Sequence, residues 1–282
     1  MSDLRRARLE KGEVLQLEEL GGGLLELTAR LPHLATAARP GEFAQIRCSQ
    51  TFAPLLRRPF SVAWTQGDVC AFVFEVVGTG TALLARLKPG DVLDVLGPLG
   101  HGFSLDVPAG KVVCVSGGLG CAPFPILAGA LAKRGATDII VLNGAATGDR
   151  LYPPQRFQRG SLGITVVEAT VDGSRGRRGL VTELVADALG GDTAALFACG
   201  PNRMLVSLAR VLETITAAPA IAEAALEAPM GCGFGTCLGC ALPVRASSGD
   251  RAWALCCSDG PVMPIREVDW DELESMPTAD VA

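Results

Sequence analysis

Five of the chain's ten cysteines, Cys232, Cys237, Cys240, Cys256 and Cys257, fall in a short glycine-rich stretch near the C-terminus, while Cys48, Cys70, Cys114, Cys121 and Cys199 are scattered. The first three of the clustered set are spaced C-x4-C-x2-C, the plant-type [2Fe–2S] arrangement, and a fourth thiolate is available at Cys256 or Cys257. Two irons with bridging sulfides need four thiolates, and Gly231, Gly233, Gly235 and Gly239 free the loop backbone to bring N–H groups to the sulfurs. A structural zinc site is the alternative, since its C-x2–4-C pairs overlap this spacing. In a reducing compartment, clustered cysteines point to metal before disulfides.

Two further signals concern phosphate. Ser116-Gly117-Gly118-Leu119-Gly120-Cys121-Ala122-Pro123 follows the apolar run KVVCV and precedes a helical pattern. A strand feeding a glycine turn and a helix N-terminus presents unpaired N–H groups and a positive dipole end to an anion, although the run is not the G-x-G-x-x-G fingerprint. Cys199-Gly200-Pro201 closes a later strand in the same way, and ligands of open parallel sheets collect at such carboxyl ends. The third signal is Arg57-Arg58-Pro59-Phe60-Ser61, followed by Gly78-Thr79-Gly80-Thr81 and Gly97-Pro98-Leu99-Gly100. An Arg and a Ser at a strand end facing a Gly/Thr loop can hold a pyrophosphate by charge-assisted and backbone hydrogen bonds. Taken alone, each glycine run is also an ordinary turn, and Arg57-Arg58 a surface basic pair.

The elements that must position these residues change character along the chain. Up to about Gly100, short apolar runs alternate with turns (VLQLEEL, GLLELTARL, FAQIRCS, FSVAWTQ, VCAFVFEVV, DVLDVLG), which predicts a small antiparallel β barrel. From Lys111, four strand-like runs each lead into a helical or turn segment, which predicts a parallel sheet covered by helices. The cysteine-rich tail is too short for a core of its own, so a cofactor is expected to hold it together. Three units are expected: a barrel over 1–106, an α/β domain over 107–225 and a cysteine module over 226–282.

With 282 residues, 49% hydrophobic and 20% charged, the chain is long enough for two globular domains, and disorder or collagen-like structure is excluded. A net charge of −5 with no Lys/Arg-rich run argues against nucleic acid as a partner. Mean hydropathy is +0.33. The uncharged stretch Val112–Ala132 is long enough to span a bilayer, but its glycines and prolines fit strand, turn and helix instead. No apolar core follows the basic N-terminal residues, so no secretory signal is expected and a cytoplasmic enzyme is the default.

In combination, LRRPFSV, VVGTGTALLARLKPGDVLDVLGPLGHGF, VSGGLGCAP, CGP and a cysteine module ending Cys257-Ser-Asp-Gly-Pro-Val resemble the electron-transfer subunits of class 1B dihydroorotate dehydrogenases, within the ferredoxin–NADP reductase superfamily. The resemblance runs from about residue 10 to about 265. It implies that Arg58, Pro59, Phe60 and Ser61 form the FAD-contacting strand and that Gly78, Thr79, Gly80 and Thr81 close over the FAD pyrophosphate. It further implies that Gly117, Gly118, Gly120, Ala122 and Pro123 form the NAD phosphate turn, that Cys199, Gly200 and Pro201 lie beside the nicotinamide, and that Cys232, Cys237, Cys240 and Cys257 ligate the [2Fe–2S] cluster. Cys257 is implied over Cys256 because the family's last ligand precedes x-x-Gly-Pro-Val, here Ser258 to Val262. His101 departs from an expected Asn; Cys121 and Cys256 are thiols the pattern does not need.

The implied activity is transfer of electrons from dihydroorotate oxidation, at FMN in a partner catalytic subunit, through the cluster and FAD to NAD+, in a heterotetramer serving pyrimidine biosynthesis. The redox cofactors carry that chemistry, and no acid–base dyad or Ser-His-Asp set is present to suggest another. Two alternatives compete. One is the small flavin and iron–sulfur subunit of an NADH-dependent ferredoxin:NADP+ oxidoreductase or sulfide dehydrogenase; the other is a zinc-stabilised nucleotide-binding redox sensor. The run Asn143 to Arg150 holds both an acid and a base and leaves NAD against NADP undecided.

Overall fold

The computed structural model describes residues 6–159, 163–216, 219–246 and 248–276. Six strands, β1 (Arg8–Gly21), β2 (Leu24–Arg30), β3 (Phe43–Ile46), β4 (Arg58–Gln66), β5 (Val69–Glu75) and β6 (Val92–Leu99), close into an antiparallel barrel in the order β1-β2-β5-β4-β3-β6. The period-2 alternation of strands sets which side chains fill it. Along β3, Ala44 and Ile46 join Leu27, Phe72, Leu93 and Val95 in the barrel core, whereas Phe43 faces outward into a different core. Two short helices, α1 (Pro32–Ala37) and α2 (Thr79–Leu84), add Leu34 and Leu84 to the barrel core. His33 lies in α1.

The second unit is a seven-stranded sheet. Its parallel centre is β7 (Lys111–Gly117), β8 (Ile139–Ala145), β9 (Ile164–Thr170) and β11 (Thr193–Cys199), extended by β10 (Arg177–Arg178) beside β9 and β12 (Ile221–Ala225) beside β11. A strand buried on both faces reads as a continuous apolar run, and β7 does so. Val112 and Cys114 pack with Phe124, Leu127 and Leu131 of α3 (Phe124–Lys133) on one face. Val113 and Val115 pack on the other with Leu205 and Leu208 of α6 (Asn202–Thr214) and Val185 of α5 (Val185–Ala188). The stretch tested above as a bilayer span is therefore strand, glycine turn and helix. Among the described residues, no helix is long and apolar enough to cross a membrane.

The cysteine-rich tail departs from expectation. It forms a hairpin of β13 (Ala241–Arg245) and β14 (Arg251–Leu255), then sends β15 (Val262–Pro264) back to pair antiparallel with β12 at the edge of the large sheet. Helix α7 (Trp270–Ser275) follows and buries Leu273. Leu242, Met263, Ile265, Val268 and Leu273 share one continuous core with Val113 and Leu196 of the large sheet and with Phe43 and Leu99 of the barrel. The tail thus borrows a core from both neighbours, and a cofactor is not its sole organiser.

Barrel and sheet are joined by an aromatic and an ionic contact. Phe103 lies 5.2 Å from Phe197 of β11 and 6.2 Å from Phe124 of α3, centroid to centroid. Glu26 of β2, only 2% exposed, accepts from Arg156 at 2.6 Å, Arg159 at 3.1 Å and the Tyr152 hydroxyl at 3.3 Å. Arg156 belongs to α4 (Pro154–Phe157) and also binds Glu18, while the Arg159 guanidinium lies 4.2 Å from the Trp64 ring centroid.

Candidate redox site

The loop from Gly231 to Cys240 wraps its sulfurs in main-chain N–H groups. Cys232 Sγ accepts from the amides of Thr236 at 3.3 Å and of Phe234 and Cys237 at 3.5 Å; Cys257 Sγ accepts from the Gly235 amide at 3.2 Å. Desolvation pushes the Cys232 thiol up, but these three amides and the neighbouring Cys237 thiol outweigh it and bring it down to about 6. Gly233 and Gly235 make this possible with φ of 83° and 87°, values that favour glycine.

The four thiols assemble as two pairs. Cys232 is a hydrogen-bond partner of Cys237, and Cys240 Sγ lies 3.2 Å from Cys257 Sγ. Among the described residues, no three His, Cys, Asp or Glu side chains converge on a single metal position. Two thiolate pairs suit two irons sharing bridging sulfides, each completed by two cysteines, better than one tetrahedral zinc ion. The donor set therefore fits a [2Fe–2S] cluster. Cys256 lies outside it: its thiol is fully buried, points to the Leu226 carbonyl at 3.4 Å and is pushed well up by desolvation. Cys237 is exposed whereas Cys240 and Cys257 are buried, so the site has one face toward solvent and one toward the protein.

The buried face meets the barrel. Gly233 packs onto Gln45 of β3 so tightly that a Cβ there would lie 2.6 Å from Gln45 Nε2. Gln45 is opposite Pro59 of β4, and Phe43 opposite Ser61, so the cysteine loop sits one strand away from Arg58-Pro59-Phe60-Ser61. Gln45 is fully buried, and neither amide atom has a hydrogen-bond partner in the protein, an arrangement that ordinarily costs about 1–3 kcal/mol. Nothing in the sequence pattern marked it, because a lone polar residue in a strand reads as the solvent side of an alternation.

At the start of β4 the two arginines divide. Arg57 is tied to Asp94 at 2.7 Å and to main-chain carbonyls of Asp94 and Gln45. Arg58 donates only to the carbonyls of Leu56 and Arg57, which leaves its charge without a carboxylate partner among the described residues. The 78–81 loop packs on it, since a Cβ on Gly80 would lie 3.2 Å from Arg58 Nε. Thr81 Oγ1 holds that loop by accepting from the Val77 and Gly78 amides at 2.9 and 3.2 Å. Phe60 stands edge-on to Phe74 at 5.7 Å. An uncompensated guanidinium against a tight Gly/Thr loop fits the pyrophosphate of a flavin dinucleotide.

The two glycine turns of the sheet lie together. Cys199 at the end of β11 is in register with Ser116 of β7, and a Cβ on Gly120 would overlap the Cys199 carbonyl. Gly200 would likewise strike Met204 Cε at 2.6 Å, and Gly117 the same side chain. Gly118 takes φ of 54° in the short 3-10 turn leading through Ala122 and Pro123 into α3. Gly120 thus meets the end of β11 backbone to backbone, while Met204 packs under Gly117 and Gly200, and glycine turns at two strand ends fit a dinucleotide phosphate. Desolvation pushes the buried Cys199 thiol well up, with Glu227 and Cys121 adding to it. Glu227, exposed beside that thiol, is a residue the motifs did not reveal. Arg150, the base of the undecided nucleotide run, is committed to Glu75 through both carboxylate oxygens at 2.8 Å. His101 abuts the cysteine module, donating its amide to the Gly260 carbonyl at 2.6 Å.

Comparison with known proteins agrees with this geometry. Residues 227–269 match the family described as the iron-sulfur cluster binding domain of dihydroorotate dehydrogenase B. The chain is 37% identical over 243 residues to the dihydroorotate dehydrogenase B (NAD(+)) electron transfer subunit of Desulforamulus reducens, covering 85% of this chain and 90% of that protein. It is 36% identical to the subunit of the same name from Bacillus mycoides, over 90% and 96% of the two chains. Among solved structures, one described as an NADH-dependent reduced ferredoxin-NADP oxidoreductase superposes with a TM-score of 0.78 at 29% identity, covering 93% of this chain and 91% of that one. A ferredoxin NADP+ reductase from Neisseria gonorrhoeae with bound FAD and NADP shares the fold alone, at TM-score 0.62 and 18% identity over 77% and 99% of the chains. Likeness to these relatives over nearly its whole length, together with a cysteine loop seated against the barrel, makes the chain a member of the dihydroorotate dehydrogenase B electron transfer subunit family.

Proposed function

We propose that this chain is the electron-transfer subunit of a B-type dihydroorotate dehydrogenase in the cytoplasm, carrying electrons from dihydroorotate oxidation in an FMN-containing partner subunit to NAD+ within a heterotetramer. The observation that carries the reading is the placement of the paired thiols of Cys232, Cys237, Cys240 and Cys257 one strand from Arg58-Pro59-Phe60-Ser61. When bound, FAD exchanges both hydrides and single electrons, and a [2Fe–2S] cluster relays single electrons, so the pair links a nicotinamide to a one-electron route.

The chain's own residues bind and orient. Arg58 neutralises the flavin pyrophosphate, Gly78 to Thr81 present amides to it, and Phe60 and Ser61 border the flavin. Gly117, Gly118, Gly120, Ala122 and Pro123 receive the nicotinamide nucleotide's phosphates, and Cys199, Gly200 and Pro201 border its ring. Engagement of Arg150 by Glu75 removes the base that a 2′-phosphate would need in this run, which supports NAD over NADP. The cysteine loop meets the barrel through Gly233 on Gln45, one strand from the flavin strand, and exposed Cys237, flanked by exposed Phe234 and Leu238, faces outward toward the partner.

The 0.78 superposition on the ferredoxin-NADP oxidoreductase supports a second reading, the small subunit of a complex of that kind. Purification from the native host separates the two. An FMN-containing subunit that copurifies and confers dihydroorotate-dependent NAD+ reduction supports the first, and a large pyridine-nucleotide flavoprotein partner with no dihydroorotate activity refutes it.

A further inference from the structure

Gln45 occupies the contact between the barrel and the cysteine loop, on the face of β3 that carries Phe43 toward the module, opposite Pro59 of the flavin strand. Its carboxamide is fully buried, lies against Gly233, the residue after Cys232, and has both polar atoms without a protein partner. Buried amides in native proteins are almost always hydrogen-bonded, so one facing a ligand loop without a partner points to a partner outside the polypeptide. The other nearby donors to the sulfurs, the amides of Phe234, Gly235, Thr236 and Cys237, all belong to the loop itself.

We propose that Gln45 is a positioning residue of the redox route: its side-chain N–H donates to the sulfur set of the [2Fe–2S] cluster and raises the cluster's reduction potential. This rests on the cluster reading above. A donor to sulfur favours the more negative, reduced form, so removing it makes reduction harder. It also gives the barrel, which supplies none of the four thiols, a direct hold on the site. Gly233 serves the same contact, because only a residue without Cβ lets the amide approach.

The test is EPR-monitored potentiometry on the complete purified protein, with iron, sulfide and flavin assayed on each sample, for wild type, Gln45→Met and Gln45→Leu. Both variants put an apolar side chain of similar volume in its place and remove the donor. At a fixed ambient potential the reduced-to-oxidised ratio of the cluster is expected to fall about tenfold, the size of one charge-assisted hydrogen bond, or about 59 mV for a one-electron couple. Flavin content and the flavin absorption band are expected to stay as in wild type. Variants loaded with two irons and two sulfides but retaining the wild-type potential overturn the proposal while leaving the cluster reading intact. Wild type that holds no iron and sulfide overturns both.

Discussion

Cys256 and Cys257 are neighbours in sequence and opposite in environment: one thiol turns to the Leu226 carbonyl, the other to Cys240. Replacing Cys232, Cys237, Cys240 or Cys257 by Ser is therefore expected to abolish or severely reduce bound iron and sulfide, whereas Cys256→Ser keeps both, as metal and sulfide assays will read. Arg57 and Arg58 form a second such contrast. Arg58→Ala is expected to lower FAD retention with little change in fold stability. Arg57→Ala leaves the nearly buried Asp94 carboxylate without its closest cation and is expected to cost on the order of 2–3 kcal/mol in denaturant unfolding. C-x4-C-x2-C was legible from spacing alone, because a binuclear site dictates its donors. Gln45 and Glu227 were not, since their significance arises from residues far away in the chain that only folding brings to them.

The six barrel strands and the four parallel strands could be read from alternation and continuous apolar runs, because those patterns are direct consequences of one-face and two-face burial. β10, with two residues, β12 and β15 escaped, as short strands at or next to the sheet's edges whose pairing is decided by the sheet they join. The return of β15 to β12 also explains why the cysteine tail has a core despite its length. Within the turns, Gly120 packs directly on the end of β11, where a Cβ would overlap the Cys199 carbonyl. Gly120→Ala is expected to force the two turns apart, leaving FAD and cluster content unchanged while abolishing flavin reduction by NADH in stopped-flow absorbance. Retention of wild-type reduction by that variant would remove the turn from the nucleotide site.

At the scale of the molecule, barrel, sheet and cysteine module share cores, and Glu26 is the buried member of the ion pairs that link the first two. Glu26→Ala leaves Arg156 with Glu18 alone and Arg159 without a carboxylate, and is expected to lower stability by about 1.5–3 kcal/mol, seen as a lower Tm in calorimetry. The Arg159 contact with Trp64 adds about 0.5–1 kcal/mol and survives that substitution. Such coupling keeps the flavin strand, nucleotide turns and thiol pairs in fixed relation, which a route for electrons requires. Its most direct test is the visible spectrum of anaerobically purified protein before and after NADH, with iron, zinc, sulfide and flavin assayed on the same sample. A brown protein containing FAD, two irons and two sulfides per chain, bleached by NADH in both flavin and cluster bands, is the predicted result. A colourless protein carrying one zinc, unresponsive to NADH after reconstitution with FAD, iron and sulfide, would contradict it.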